Sequence, residues 1–128
     1  MALAQKDFDP GERPRRKYVD RVAVTPIHGT LSNRPGWFSD DCYENLRATI
    51  NSTVAGVACN AIVLDFDSPG GEAARAMETS RFIRQAAAQK PIVAFVDGMA
   101  CSAAYALACG APDVVAAPSA TLGSIRDG

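Results

Sequence analysis

The chain has 128 residues, 48% of them apolar, a size and composition that fit one domain around one core and leave no room for two. Thirteen Lys and Arg against fourteen Asp and Glu give a net charge of -1, which excludes the overall positive footprint of a nucleic-acid binder. Cys42, Cys59, Cys101 and Cys109 form no C-x-x-C pair and no usual zinc spacing, so they read as reduced thiols in a cytoplasmic protein without a metal site. The uncharged stretch 98–112 is too short to span a bilayer, and no basic segment followed by an apolar one opens the chain, so no membrane segment is expected.

Residues 1–20 are dense in charge, carry Pro10, Gly11 and Pro14, and show no periodicity, which predicts a disordered arm. Its basic cluster (Arg13, Arg15, Arg16, Lys17) is interleaved with Asp7, Asp9, Glu12 and Asp20, and a solvated arm accounts for it without a function. The domain proper is expected over 21–128. Val22 to Ile27 reads as a strand closed by His28 and Gly29, at a sheet edge because Pro26 cannot donate to a ladder. Ser39, Asp40 and Asp41 have the chemistry of a helix N-terminus, followed by Tyr43, Leu46 and Ile50 at helical spacing.

Ala61 to Phe66 is a nearly continuous apolar run, the pattern of a strand covered on both faces, and it ends at a predicted loop from Asp67 to Gly71. A helix is predicted over Glu72 to Gln89, with Ala73, Met77, Phe82 and Ile83 facing inward. Ile92 to Val96 reads as a second buried strand, followed by a loop from Asp97 to Ser102. An alanine-rich helix from Ser102 to Cys109 comes next, capped by Gly110, and then a third buried strand from Asp113 to Ala117. Alternating strands and helices of these lengths imply right-handed crossovers and a parallel sheet, whose site lies beyond the carboxyl ends of the strands.

Two loops then carry the chemistry. Gly70 and Gly71 let backbone N–H groups approach a ligand without a side chain in the way, although a tight structural turn predicts the same pair. Neither G-x-x-x-x-G-K-[ST] nor G-x-G-x-x-G is present, so nothing specific points to a nucleotide. Ser102 opens a helix among Ala100, Ala103 and Ala104, where its hydroxyl feels the helix N-terminus; a plain serine cap is the alternative reading.

The run from Ile62 to Glu72 through Asp67, Ser68, Pro69, Gly70 and Gly71, then Lys90 to Tyr105, then Ala120 to Ile125, resembles the S49 peptidases. These are the signal peptide peptidase A relatives, which include phage head proteases similar to minor capsid protein C. The resemblance covers about residues 20 to 125. It implies an α/β ClpP/crotonase fold and a serine endopeptidase without a cofactor. It also implies a peptide or protein substrate, a homo-oligomer, and a phage or prophage setting. Ser102 matches the nucleophile, the N–H groups of Gly71 and Ala103 match the oxyanion hole, and Asp67, Ser68, Pro69 and Gly70 match the loop that shapes the substrate cleft.

The family uses a lysine base, and position eliminates the three lysines here. Lys90 enters its strand at the amino end, roughly 20 Å from Ser102. Lys17 precedes the first strand and Lys6 lies in the arm. His28 follows the first strand and is the remaining candidate base, with no obvious acidic partner in the sequence. In the family Gly-Ser-Ile is followed by Gly-Val, whereas Gly123, Ser124 and Ile125 here lead to Arg126, Asp127 and Gly128. The expectation is therefore a domain truncated or frame-shifted at its C-terminus, with the base outside the chain and no independent peptidase activity. Two readings compete with a peptidase: a non-catalytic oligomerising scaffold, and a crotonase-type enzyme acting on an acyl-CoA.

Overall fold

A computed structural model describes residues 17–33 and 41–123. In chain order its elements are β1 (Lys17–Val19), β2 (Val22–Ser32), β3 (Asp41–Cys42), α1 (Tyr43–Ala55), β4 (Ala61–Gly71), α2 (Ala76–Ala87), β5 (Ile92–Cys101), α3 (Ala103–Ala108), β6 (Asp113–Ala116) and β7 (Thr121–Gly123). Among the described residues the strands form one sheet in the order β1-β2-β4-β5-β6, with β3 added to β2 and β7 added to β5. Only β1 is antiparallel to its neighbour.

The order β2-β4-β5-β6 advances in one direction, and right-handed crossovers then carry every connecting helix over the same face of the sheet. The strands record this as alternation. Ala23, Thr25 and Ile27 of β2, Ile62, Leu64 and Phe66 of β4, and Ile92, Ala94 and Val96 of β5 are buried. Between them Val24, Pro26, Val63, Val93 and Phe95 are half-buried. The expected cover on both faces is therefore not what the described residues show: a run of Val, Ile and Leu reads alike for one covered face or two. β6 differs further, since all four of its residues are exposed. Among the described residues it is an edge strand bonded to β5 alone, not the buried strand expected over Asp113 to Ala117.

Three boundaries differ from expectation for identifiable reasons. Lys17–Val19, within the predicted arm, is an edge strand paired with Val22–Val24, whereas residues 1–16 lie outside the described residues. β2 is thus flanked on both sides at its start, and Pro26 stands two residues past Val24, the last residue that β1 pairs among the described residues. Helix α1 starts at Tyr43, capped by Cys42, whose Sγ accepts from Asn45 N–H at 3.4 Å; Ser39 and Asp40 lie outside the described residues. Its Tyr43, Leu46 and Ile50 are buried as the spacing predicts.

Helix α2 starts four residues later than predicted, after Arg75 turns the chain with φ 70. Its buried stripe is therefore Ala76, Thr79, Ser80, Ile83 and Ala86, while Met77 is 56% exposed, Ala73 is exposed and Phe82 is half-buried against the core. The small and hydroxylated stripe lets neighbours come close: a Cβ on Gly110 would sit 3.0 Å from Ser80 Oγ. Gly110 itself follows the cap residue, Cys109, and donates to Leu107 O.

Candidate active site

Of the segments read as loops, Asp67 to Gly71 and Asp97 to Ser102, all but Ser102 itself is strand. β4 and β5 continue through them past a register shift between Phe66 and Ser68, and β2 shifts likewise between His28 and Thr30. Such shifts re-aim a strand without ending it. Beyond them Thr30 pairs with Gly70, Leu31 with Gly71, Ser68 with Ala100, and Met99 to Cys101 with Thr121 to Gly123. Glycine and proline, which punctuate loops in most sequences, here permit close approach. A Cβ on Gly71 would fall 2.6 Å from Leu31 N, and one on Gly98 would run into the Asp67 carboxylate.

Ser102 sits where β5 becomes α3, with φ 56 and ψ -124. These angles belong to a position that glycine ordinarily fills, and a side chain there costs on the order of 1–3 kcal/mol. The backbone is held on three sides. Ser102 N–H donates to Gly123 O at 2.9 Å, and Ser102 O accepts from Tyr105 N–H at 3.0 Å and Ala106 N–H at 3.2 Å. Its side chain makes no capping bond and the residue is exposed, so the plain serine cap is not the arrangement found.

Gly70, at φ 111, packs directly under this turn: a Cβ there would lie 2.9 Å from Ser102 Cβ and 3.3 Å from Ala103 N. The N–H groups of β4 are then sorted. Gly70 N–H donates to Ser68 Oγ at 3.1 Å and Glu72 N–H donates to Leu31 O on β2 at 2.9 Å. Because successive N–H groups of a strand point to opposite sides, Gly71 N–H is directed away from β2, towards β5 and Ser102. Ala103 is the first residue of α3, whose first N–H groups have no partner within the helix.

The other three residues of the glycine loop have distinct surroundings. Ser68 is fully buried, and its hydroxyl donates to Gly29 O at 2.6 Å while accepting from Gly70 N–H, so it ties the β2 bulge to the glycine that supports Ser102. Asp67 and Pro69 are exposed. Just past Gly71, Tyr43 Oη donates to Glu72 O at 2.6 Å, and its phenol is pushed up to about 12 by burial first and by the Glu72 charge second. The roles of Ser68 and Tyr43 carry no sequence signal, because both depend on the register beyond the bulges.

The structure does not bring His28 to Ser102. His28 is paired in register with Asp67, and β4 lies between it and β5, about 10 Å of strand spacing alone. It does have an acidic neighbour that the sequence did not reveal, with Nε2 lying 3.6 Å from Asp65 Oδ2. Lys90 Nζ donates to Thr53 O at 3.2 Å and Gly56 O at 2.6 Å, at the carboxyl end of α1. Lys17 lies on β1. Among the described residues no lysine stands beside Ser102, and no His, Cys, Asp and Glu cluster could hold a metal ion. No helix among them is long and apolar enough to cross a membrane.

A one-sided parallel sheet whose glycine-rich strand supports a serine at a strained strand-to-helix turn defines a ClpP/crotonase-like α/β protein. Residues 84–125 match peptidase family S49. The chain is similar to head-tail preconnector protein GP5 of Enterobacteria phage P21 (36% identity, covering 90% of this chain and 24% of that protein). It is also similar to capsid assembly protease C of Escherichia phage lambda (31% identity, 96% and 29%). Among solved structures, a variant of the 1510-N membrane-bound stomatin-specific protease with a substrate peptide superposes with a TM-score of 0.63, at 25% identity over 80% of this chain and 44% of that one. An enoyl-CoA hydratase from Polaromonas sp. JS666 also reaches 0.63, at 19% identity over 84% and 49%, a likeness of fold alone. By sequence the chain is similar to the S49 peptidase family. It spans 24% and 29% of the length of the two phage relatives.

Proposed function

We propose that this chain carries the nucleophile and the oxyanion site of an S49-type serine endopeptidase acting on a protein substrate. Ser102 Oγ loses its proton to a base and attacks a peptide carbonyl. The oxygen that becomes negative is held by Gly71 N–H and Ala103 N–H, a contribution of about 3 kcal/mol per donor in acyl transfer. The tetrahedral intermediate expels the amine, which takes up the proton, and water then releases the acyl group from Ser102. Asp67, Pro69 and Gly70 border the cleft, with Ser68 beneath them. The base is a lysine outside this chain, consistent with the engagement of Lys90 at the far end of α1. The phage relatives support a head- or capsid-assembly protein as substrate, within an oligomer in the cytoplasm of an infected or prophage-bearing cell.

The observation that carries this reading is Ser102 itself, with a positive φ that a serine cap does not need and a hydroxyl left uncommitted against Gly70. The test is a fluorophosphonate probe with ethylamine added to stand in for a lysine amine, followed by intact mass. The expected result is one adduct per chain on Ser102, forming faster as amine is raised and absent in Ser102→Ala. Equal adduct in Ser102→Ala, or none on Ser102 at any amine concentration, would overturn it.

A further inference from the structure

Beyond the glycine pair, Asn33, Glu44, Arg47 and Arg75 line a cleft of about 140 Å³. Arg75 is the anomaly in it. It occupies the cap position of α2 with φ 70 and ψ 0, yet its side chain makes no capping bond. Glycine or asparagine suits that backbone, and Ser, Thr, Asp or Asn suits that cap, so neither requirement explains an arginine. Its one ion pair, Nη1 to Glu78 Oε1 at 3.9 Å, joins side chains 55% and 63% exposed and contributes little.

Arg47 reaches the same cleft from α1. Its Nη1 donates at 2.9 Å to Thr79 Oγ1, a fully buried hydroxyl that itself donates to Arg75 O at 2.9 Å. One bond network therefore fixes both the Arg47 guanidinium and the turn that carries Arg75. Arg47 is half-buried, and no carboxylate among the described residues lies within 4.0 Å of it, although Glu44 stands one turn before it. A half-buried guanidinium held in place without a counter-charge among the described residues is a site prepared for an anion. Asn33 adds a buried Oδ1 with no hydrogen-bond partner among the described residues, an acceptor suited to a peptide N–H.

We propose that Arg47 and Arg75 form a subsite for a carboxylate of the bound polypeptide, an acidic side chain or a chain end, with Asn33 Oδ1 taking a backbone N–H beside it. Among the described residues the two guanidiniums stand with the Glu44 carboxylate in the lining and the Glu72 carboxylate, which accepts from Asn33 N–H at 2.6 Å, so their charge is partly offset and suits a singly charged carboxylate better than a phosphate dianion. The inference rests on the peptidase reading for its ligand class. Arg75 follows Gly71 by four residues, at most about 14 Å between Cα atoms, and its side chain adds about 6 Å, which sets the acidic group within roughly six substrate residues of the reacting carbonyl.

The test needs no turnover, so its failure is separable from failure of the phosphonate test. Acetylated, amidated Ala-Ala-Glu-Ala-Ala, its Gln and phosphoserine counterparts, and acetyl-pentaalanine with a free carboxyl are titrated into the full chain while arginine side-chain N–H signals are followed by NMR. The Glu peptide or the free-carboxyl peptide, whichever is the source, is expected to bind about tenfold more tightly than the Gln peptide and to shift the Arg47 and Arg75 signals. Arg75→Asn, which suits the left-handed backbone and so preserves the fold, is expected to remove that preference, as is Arg47→Gln. Equal binding of the Glu, Gln and free-carboxyl peptides, tightest binding of the phosphoserine peptide, or a preference that survives in Arg75→Asn would each overturn the proposal.

Discussion

The strands of this sheet differ on the two sides of their bulges. Before the shifts at His28 and Phe66, β2, β4 and β5 are regular, and branched or aromatic side chains such as Ile27, Leu64, Phe66 and Val96 fill one face against the helices. After them the same strands are built from Gly29, Ser68, Gly70, Gly71, Gly98 and Ala100, which are held by close backbone approach and by the Ser68 hydroxyl. The first region fills the core with large side chains, whereas the second, apart from the fully buried Leu31, carries mostly small ones, so that β4 can lie against the Ser102 turn. On the proposed function, stability and reactivity then fall to different stretches of the same three strands.

The largest expected effect tests the first stretch. Phe66→Ala removes a fully buried ring from the centre of the core and should cost about 3–5 kcal/mol by urea denaturation. Protein that remains folded should still form the Ser102 adduct, since Phe66 precedes the shift. Gly71→Ala comes next and tests the second stretch. Its Cβ would meet the Leu31 backbone, which cannot yield as a flexible side chain would, so a loss of about 3 kcal/mol is expected. Unlike Phe66→Ala, it should also abolish adduct formation in the folded fraction. If the two variants lost stability and adduct in the same proportion, the division between the regions would be wrong.

The same division decides what the sequence discloses. Hydrophobic period carries the regular stretch, so the strands, the helices, their parallel order and the inward Tyr43, Leu46 and Ile50 are legible. Composition does not say whether Gly70 and Gly71 end a strand or let one pass beneath another chain segment, so β4 and β5 each read five residues short. The phase of α2 was lost for a related reason: its first turn is set by the left-handed Arg75, a residue without the usual signal for that conformation. Ser102 and the glycines are marked in the sequence by their motif, whereas the contacts of Asp65 with His28, Ser68 with Gly29 and Tyr43 with Glu72 arise only from strand register.

A smaller effect lies at the junction of the two stretches, where Tyr43 holds the Glu72 carbonyl just past the glycine pair. Its phenol titrates near 10 when unfolded and is pushed up to about 12 when folded. Below pH 10 both states hold the proton and the contribution is fully present. Between 10 and 12 the unfolded chain releases the proton first, so stability falls with rising pH, by about 2 kcal/mol over the window. Tyr43→Phe should cost about 1–2 kcal/mol at pH 7 through the orphaned carbonyl, and should flatten that alkaline fall. Parallel pH dependences in the two proteins would show that the hydroxyl does not couple the junction to the core.

The smallest effect has the opposite sign. At φ 56 and ψ -124 the Ser102 backbone occupies glycine territory, and the serine does not use its side chain as a cap, so Ser102→Gly removes strain without removing a bond. Glycine also raises the entropy of the unfolded chain by roughly 0.5–1 kcal/mol, which offsets part of the relief. A net gain of about 0.5–1 kcal/mol is expected in urea denaturation, with complete loss of the adduct. Ser102→Ala is the control, because it keeps the Cβ and with it the strain: it should lose the adduct with stability unchanged. A gain in Ser102→Gly that is absent in Ser102→Ala places the strain in the backbone of the turn. The chain would then hold its hydroxyl in place at a measurable cost to its own fold, as a site kept for reactivity would.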